Sequence, residues 1–366
     1  MPSILAAVMP APHVPVEIRE FAEPDLEPDS ALLRVTYSEV CGTDVHLMAG
    51  RLAGVPYPII PGHVAVGVLE EIRGHLCDVH GRAFEEGDAV TFLDVHGTCN
   101  ACWYCLVAKA STRCPHRKVY GITFGADDRL AGGWAQKIYI KPGTRCIRLE
   151  GVDPRLFMAG GCALPTSLHA VDQAEIRIGE TILVLGAGPV GLSTVALAHL
   201  GGAARVFCIG APGRRLETAR RMGACDCLDI TGTDEEQRHD WLLERTEGRG
   251  PDATIEVTGA PVAVAQAMRW TRDAGRVIVA GQYTDTGSVE VNPHLDINRK
   301  HLRVQGIWGS DFSHFYRAVQ LLRDSRAASA YGAIATSEYK LTETNQALAD
   351  VAQGQTTKAL VTPHVD

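Results

Sequence analysis

A thiol, a hydroxyl, a carboxylate and two imidazoles fall within residues 41–63. The segment opens Cys41-Gly42-Thr43-Asp44-Val45-His46 and closes Pro61-Gly62-His63. A thiolate and an imidazole, here Cys41 and His63, are two of the three protein ligands that an open zinc site needs, with the fourth position left to substrate. Asp44 is placed to hold the far nitrogen of a ligand imidazole and so fix its tautomer. Thr43 and His46 are candidates to pass a proton away from a hydroxyl at such a centre. Alone, the segment also fits a plain buried cysteine, because free thiols pack as small hydrophobes. A second cluster is more specific. Cys99-x2-Cys102-x2-Cys105-x8-Cys114 supplies four thiolates, which can close a tetrahedral zinc site with no open position and so make it structural. Four unrelated free thiols in one tight loop would be a chemical liability. An iron–sulfur cluster also uses four thiolates, but nothing else in the chain suggests electron transfer.

These residues need elements to position them. Residues 31–37, 64–72, 86–92 and 133–140 have strand composition, and Gly, Pro and Asp punctuate them. They predict a β-rich, barrel-like first domain carrying both clusters. From about residue 153 the pattern changes. Residues 154–174 read as helix, with Cys162 inside it. An apolar strand then leads into Gly186-Ala187-Gly188-Pro189-Val190-Gly191 and an alanine-rich helix to about Leu200. A bare turn between strand and helix lets a pyrophosphate approach the helix N-terminus, so Gly186, Gly188, Pro189, Val190 and Gly191 are cofactor-binding candidates. Strands at 205–210, 252–257 and 275–281 alternate with helices at 214–223 and 261–271, which predicts a doubly wound parallel sheet. A helix near 313–323 and a strand-like tail at 358–363 follow.

Composition narrows the function classes. The 366 residues are enough for two domains, and 46% hydrophobic with 21% charged residues is ordinary for a globular protein. A net charge of -8 with no basic run argues against nucleic acid as a partner. The 11 cysteines are unevenly spread, with Cys99, Cys102, Cys105 and Cys114 crowded together, which reads as metal binding rather than a disulfide framework. Residues 1–16 carry no basic n-region and four prolines interrupt them. The apolar run 182–200 is broken by its glycines and Pro189. No membrane association and cytoplasmic residence are therefore expected. Cys77, Cys146, Cys208, Cys225 and Cys227 read as packing residues, and His169 as a structural polar contact.

With these motifs in this order, essentially the whole chain resembles the zinc-containing medium-chain dehydrogenase/reductase family, the alcohol and sorbitol dehydrogenase group. The resemblance implies an α/β fold class: a β-rich GroES-like catalytic domain, split as 1–152 and 296–366, around a Rossmann domain at 153–295, with the active site in the cleft between them. It implies Cys41 and His63 as catalytic zinc ligands and adds Cys162 as the third; that Cys2His set comes with alcohol dehydrogenase rather than from the spacing. It implies a structural zinc on Cys99, Cys102, Cys105 and Cys114, and so two zinc ions per chain. The implied reaction moves a hydride between an alcohol, or its aldehyde or ketone, and NAD(P). Thr43 and His46 would relay the proton and Asp44 would orient His63. Lys358 joins the expected cofactor-binding residues. A homodimer or homotetramer is the usual assembly.

Three departures stand out. The family usually reads Gly-His-Glu, where this chain has Gly62-His63-Val64, so no glutamate follows the histidine. Gly210 replaces the acidic residue that grips the adenosine ribose, and Arg214 and Arg215 stand nearby to meet a 2′-phosphate, which favours NADP. The loop before Cys114 is one residue longer than usual. Leu47, Leu52, Leu93, Phe124 and Trp308 suggest a less polar secondary or cyclic alcohol, with Trp134 and His314 as further pocket candidates. Two rivals remain at this level: a zinc-free enoyl or quinone reductase on the same fold, and a non-catalytic nucleotide-binding relative.

Overall fold

The computed structural model describes residues 3–365. The chain divides into two compact units. In the first, the strand Ser30–Val40 lies at the centre of a seven-stranded sheet, pairing antiparallel with Ala65–Arg73, Lys137–Ile140 and Lys358–Thr362. Side chains alternate across a strand. Ala31, Leu33 and Val35 therefore enter a core with Leu69, Val90, Phe92, Ile138 and Ile140, while Leu32 packs with Leu26 and Tyr139 on the other face. This strand is anchored along its whole length, and its carboxyl end delivers the Cys41 segment.

The second unit is built on six parallel strands, in the spatial order Asp226–Asp229, Arg205–Gly210, Thr181–Leu185, Ala253–Glu256, Arg276–Val279 and Arg303–Gly306. Chain order reverses beside Thr181–Leu185, the point where open parallel sheets bind ligands at the strands' carboxyl ends. The glycine-rich turn follows that strand.

Its boundaries differ from the expected 153–295. The first unit runs up to Cys162 and takes back Asp311–Arg323 and the residues from Ala335 onward; the second holds Ala163–Ser310 and Asp324–Ile334. At the near end, the helix Pro154–Gly160 packs on Ser30–Val40 and Ala65–Arg73, and so belongs to the first unit. At the far end, Arg303–Gly306 adds a sixth strand whose four residues are all exposed, leaving no apolar alternation to read. The helix expected over 154–174 is two helices, Pro154–Gly160 and Ala163–Ala174, broken at Gly161 and Cys162. Among the described residues, no helix is long and apolar enough to cross a membrane.

Candidate active site and metal centres

Cys41 follows the central strand directly and caps the helix Gly42–Met48. Its sulfur accepts the Thr43 N–H at 3.3 Å, and the Asp44 carboxylate accepts the Cys41 N–H at 2.8 Å. This reciprocal cap fixes the thiol against the strand end. His63 reaches the same place from the residues preceding the strand Ala65–Arg73. Cys162 reaches it because the helix breaks: Gly161 adopts φ 50°, ψ -138°, turning the next residue inward. One ligand atom each from Cys41, His63, Cys162 and Glu39 lie within 4.8 Å of one another, and Cys41, His63 and Glu39 are buried. A tetrahedral ion with arms of about 2.0–2.3 Å asks for edges of roughly 3.4–3.8 Å, so the spacing suits one metal.

The electrostatics point the same way. The Cys162 thiol bonds to the Cys41 sulfur, which draws Cys41 below the ordinary thiol value and pushes Cys162 well above it. Burial alone would lower His63, but the charges of Cys41, Asp44 and Glu39 override it and raise the imidazole to about 9. A divalent cation is the partner that lets both thiols ionise and His63 become neutral together.

Glu39 is the residue that motif reading missed. It is completely buried, and its carboxylate accepts the Cys162 N–H at 2.9 Å and pairs with the Lys358 ammonium. Lys358's charge holds Glu39 below the usual carboxylate range against the opposing effect of burial. Trp134 fixes the strand from behind through its indole N–H, 2.9 Å from the Glu39 carbonyl. A signal existed: each of two apolar strands carries one charged residue beside its end, and buried charges need partners.

Several expected site residues make other contacts in the structure. Lys358 is 2% exposed, and its ammonium meets Glu39 and lies 3.5 Å from the Gly160 carbonyl, beside the thiol–imidazole cluster. Asp44 makes no hydrogen bond to His63; Asp44 Oδ1 and His63 Nδ1 are both buried without a hydrogen-bond partner. Its visible task is the helix cap. Trp134, Leu47 and Phe124 are buried. His314 bonds back to Asp311 at its helix start, and Trp308 stacks on Tyr283.

The structural lobe is compact in its sulfurs. Cys102 lies 3.5 Å from Cys105 and 3.9 Å from Cys114, and Cys114 lies 3.6 Å from Cys99. Four sulfurs about 2.3 Å from one zinc stand about 3.8 Å apart, so this set also fits.

In the second unit, Gly188 caps the helix Pro189–Leu200, with Pro189 in its first turn and Val190 beside it. Gly191 lets that helix press on the turn, since a Cβ there would overlap the Gly186 carbonyl. Gly210 is also a close-approach residue: a Cβ would stand 2.7 Å from both the backbone nitrogen and the Cβ of Ala187. Arg214 and Arg215 occupy the first turn of the helix Gly213–Arg221, which has no acidic residue there.

Comparison with known proteins agrees with this geometry. Residues 27–151 match the alcohol dehydrogenase GroES-like domain and residues 189–324 the zinc-binding dehydrogenase domain. A 5-exo-hydroxycamphor dehydrogenase of Pseudomonas putida is 30% identical over 350 residues, covering 93% of each chain. The chain belongs to the zinc-containing medium-chain dehydrogenase/reductase family. An alcohol dehydrogenase of Thermotoga maritima superposes on this dehydrogenase with a TM-score of 0.94 at 31% identity, covering 100% of both chains. A zinc-binding dehydrogenase of Sinorhizobium meliloti 1021 bound to NADP gives 0.84 at 26%, covering 99% of this chain and 100% of that one. The dehydrogenase is a zinc-dependent oxidoreductase that transfers hydride between an alcohol, or its carbonyl product, and a nicotinamide cofactor.

Proposed function

We propose that this dehydrogenase reversibly oxidises a weakly polar secondary or cyclic alcohol, prefers NADP, and carries two zinc ions per chain. The observation that carries this reading is the convergence of Cys41, His63 and Cys162 on one point. Zinc held there supplies the Lewis acidity that lowers the pKa of a substrate hydroxyl, and the nicotinamide exchanges the hydride.

The remaining work falls to side chains. Thr43 lies two residues beyond the cap and takes the hydroxyl proton in a hydrogen bond. His46 sits three residues further along the same short helix, on the same face. Burial and the Arg51 charge hold His46 below the usual imidazole value, so near neutral pH it is unprotonated and able to accept. Asp44 keeps Cys41 in register by holding its N–H. Cys99, Cys102, Cys105 and Cys114 hold the second zinc, which ties down a lobe with little apolar interior.

The NADP preference rests on the ribose end. Gly210 offers no acceptor to a 2′-hydroxyl. Two arginines in the first turn of a helix oppose its dipole, and burial together with the Arg214 charge lowers Arg215. A dianionic 2′-phosphate resolves both conflicts. The NADP carried by the Sinorhizobium relative is in keeping. The substrate class draws on the Pseudomonas relative, whose named substrate is a cyclic alcohol. A homodimer or homotetramer would cover Trp103, Leu106 and Val107, which are 62%, 53% and 63% exposed on the cysteine lobe. Eleven free cysteines suit a reducing cytoplasm.

Linear, cyclic and polyol alcohols assayed with each cofactor, together with metal analysis, test the reading. The expected result is NADPH formation fastest with cyclic alcohols and two zinc ions per chain. Turnover with no alcohol, or a protein that binds no zinc, would remove the proposal; faster turnover with NAD would remove its cofactor part.

A further inference from the structure

The catalytic cluster contains four donors where an open site needs three. Glu39 brings a carboxylate oxygen within 4.8 Å of the ligand atoms of Cys41, His63 and Cys162, and within 4.0 Å of His63 Nε2. A carboxylate at that range is a competent zinc ligand, with a bond of about 2.0–2.2 Å. If Glu39 joined the other three, the site would be closed to substrate, like the structural cysteine site. It would also bring a third negative charge to a divalent ion and weaken its Lewis acidity.

The surroundings keep Glu39 occupied elsewhere. One oxygen accepts the Cys162 N–H, and the other is held by the Lys358 ammonium, which comes from the strand Lys358–Thr362 paired beside Ser30–Val40. Space for the pair is built in. Gly161 sits against it in a positive-φ conformation, where a Cβ would overlap both Glu39 Oε2 and Lys358 Nζ. Nothing in a purely structural account requires a fully buried ion pair at this spot, since apolar side chains of similar volume would pack as well or better.

We propose that Lys358 is a positioning residue that keeps the metal position open: it holds Glu39, a fourth protein donor, off the ion. This rests on the reading that Cys41, His63 and Cys162 hold zinc. Lys358 contributes one positive charge and a fixed direction. Without it the freed carboxylate has one strong cation left within reach.

Three full-length proteins test this: wild type, Lys358→Met, and the double variant Glu39→Gln with Lys358→Met. Each is prepared with zinc and with cobalt(II). The first readout is the visible spectrum of the cobalt protein titrated with imidazole, a small ligand that reports an open position. The second is the rate of zinc loss to a chelator. Wild type should bind imidazole with a change in the cobalt bands. Lys358→Met should show altered bands, lose the imidazole response, and release the catalytic zinc more slowly, since a fourth protein donor must also let go. The double variant, which removes the competing ligand and leaves a neutral pair of similar volume, should recover the response and the wild-type release rate. If Lys358→Met is insoluble, Lys358→Gln replaces it with the same expected direction. An undiminished imidazole response in the single variant, or slow release that persists in the double variant, overturns the proposal. A wild-type protein that holds no cobalt on Cys41, His63 and Cys162 instead overturns the reading beneath it.

Discussion

Arg51 and His46 make a pair whose titration can be followed. His46 is held below the ordinary imidazole value by burial first and by the Arg51 charge second. If His46 accepts the proton, turnover falls as pH drops through its pKa, because the protonated ring cannot accept. Removing the Arg51 charge makes protonation easier, so Arg51→Ala should move the acid limb of kcat to higher pH, with the alkaline limb unmoved. A pH–rate profile identical to wild type would take His46 out of the relay. Gly210→Asp is a poor test of cofactor choice, despite the family pattern at that position, since any Cβ there meets Ala187. Arg214→Ala is cleaner. A charged hydrogen bond is worth about 1.5–3 kcal/mol, so the ratio of kcat/KM for NADP over NAD should fall roughly tenfold to a hundredfold. An unchanged ratio would move the phosphate site elsewhere.

At the scale of elements, the break between Pro154–Gly160 and Ala163–Ala174 matters more than either helix. Continuous helical periodicity across 154–174 hides it, and a single glycine in a positive-φ conformation makes it. Gly161→Ala imposes backbone strain of about 1–3 kcal/mol and pushes into the Glu39–Lys358 pair. The expected result is a lower melting temperature together with loss of the catalytic zinc and retention of the structural one. Loss of neither would show that the turn tolerates a side chain. The cysteine lobe behaves differently. Its helix Trp103–Leu106 buries no residue, so a metal on the proposed four-cysteine site would be what orders it. Cys102→Ser should release one zinc, lower the melting temperature and open 99–114 to proteolysis, with zinc content, thermal scans and limited digestion as the measurements.

For the molecule as a whole, the last strand completes the first unit. Lys358–Thr362 lies between Thr336–Lys340 and Ser30–Val40 in the sheet, and its first residue meets Glu39 across 319 positions of sequence. A chain ending at Gln355 therefore loses a central ladder and the counter-ion of a buried carboxylate. Breaking a buried pair from one side costs about 3–5 kcal/mol by itself. Without that ladder the first unit should lose its cooperative melting and with it the catalytic zinc, unlike Lys358→Met, which keeps the strand. The parallel sheet of the second unit should still fold and still bind dinucleotide, as measured by cofactor fluorescence. Two zinc ions per truncated chain would contradict this.

Sequence alone determined the ligand types, the four-cysteine spacing and the glycine turn, because each is a local pattern whose chemistry depends on neighbours in the chain. It also determined the alternation that makes a parallel sheet, since burial periodicity is written residue by residue. Only the tertiary structure decided that Glu39 and Lys358 stand with Cys41, His63 and Cys162, that Asp44 caps a helix, and that Gly210 touches Ala187. These are long-range or steric facts: a carboxylate in an apolar strand does not name its counter-ion, and a glycine does not say what presses against it. Val64 removed an acid from its usual place, and the fold alone showed another carboxylate beside the donors.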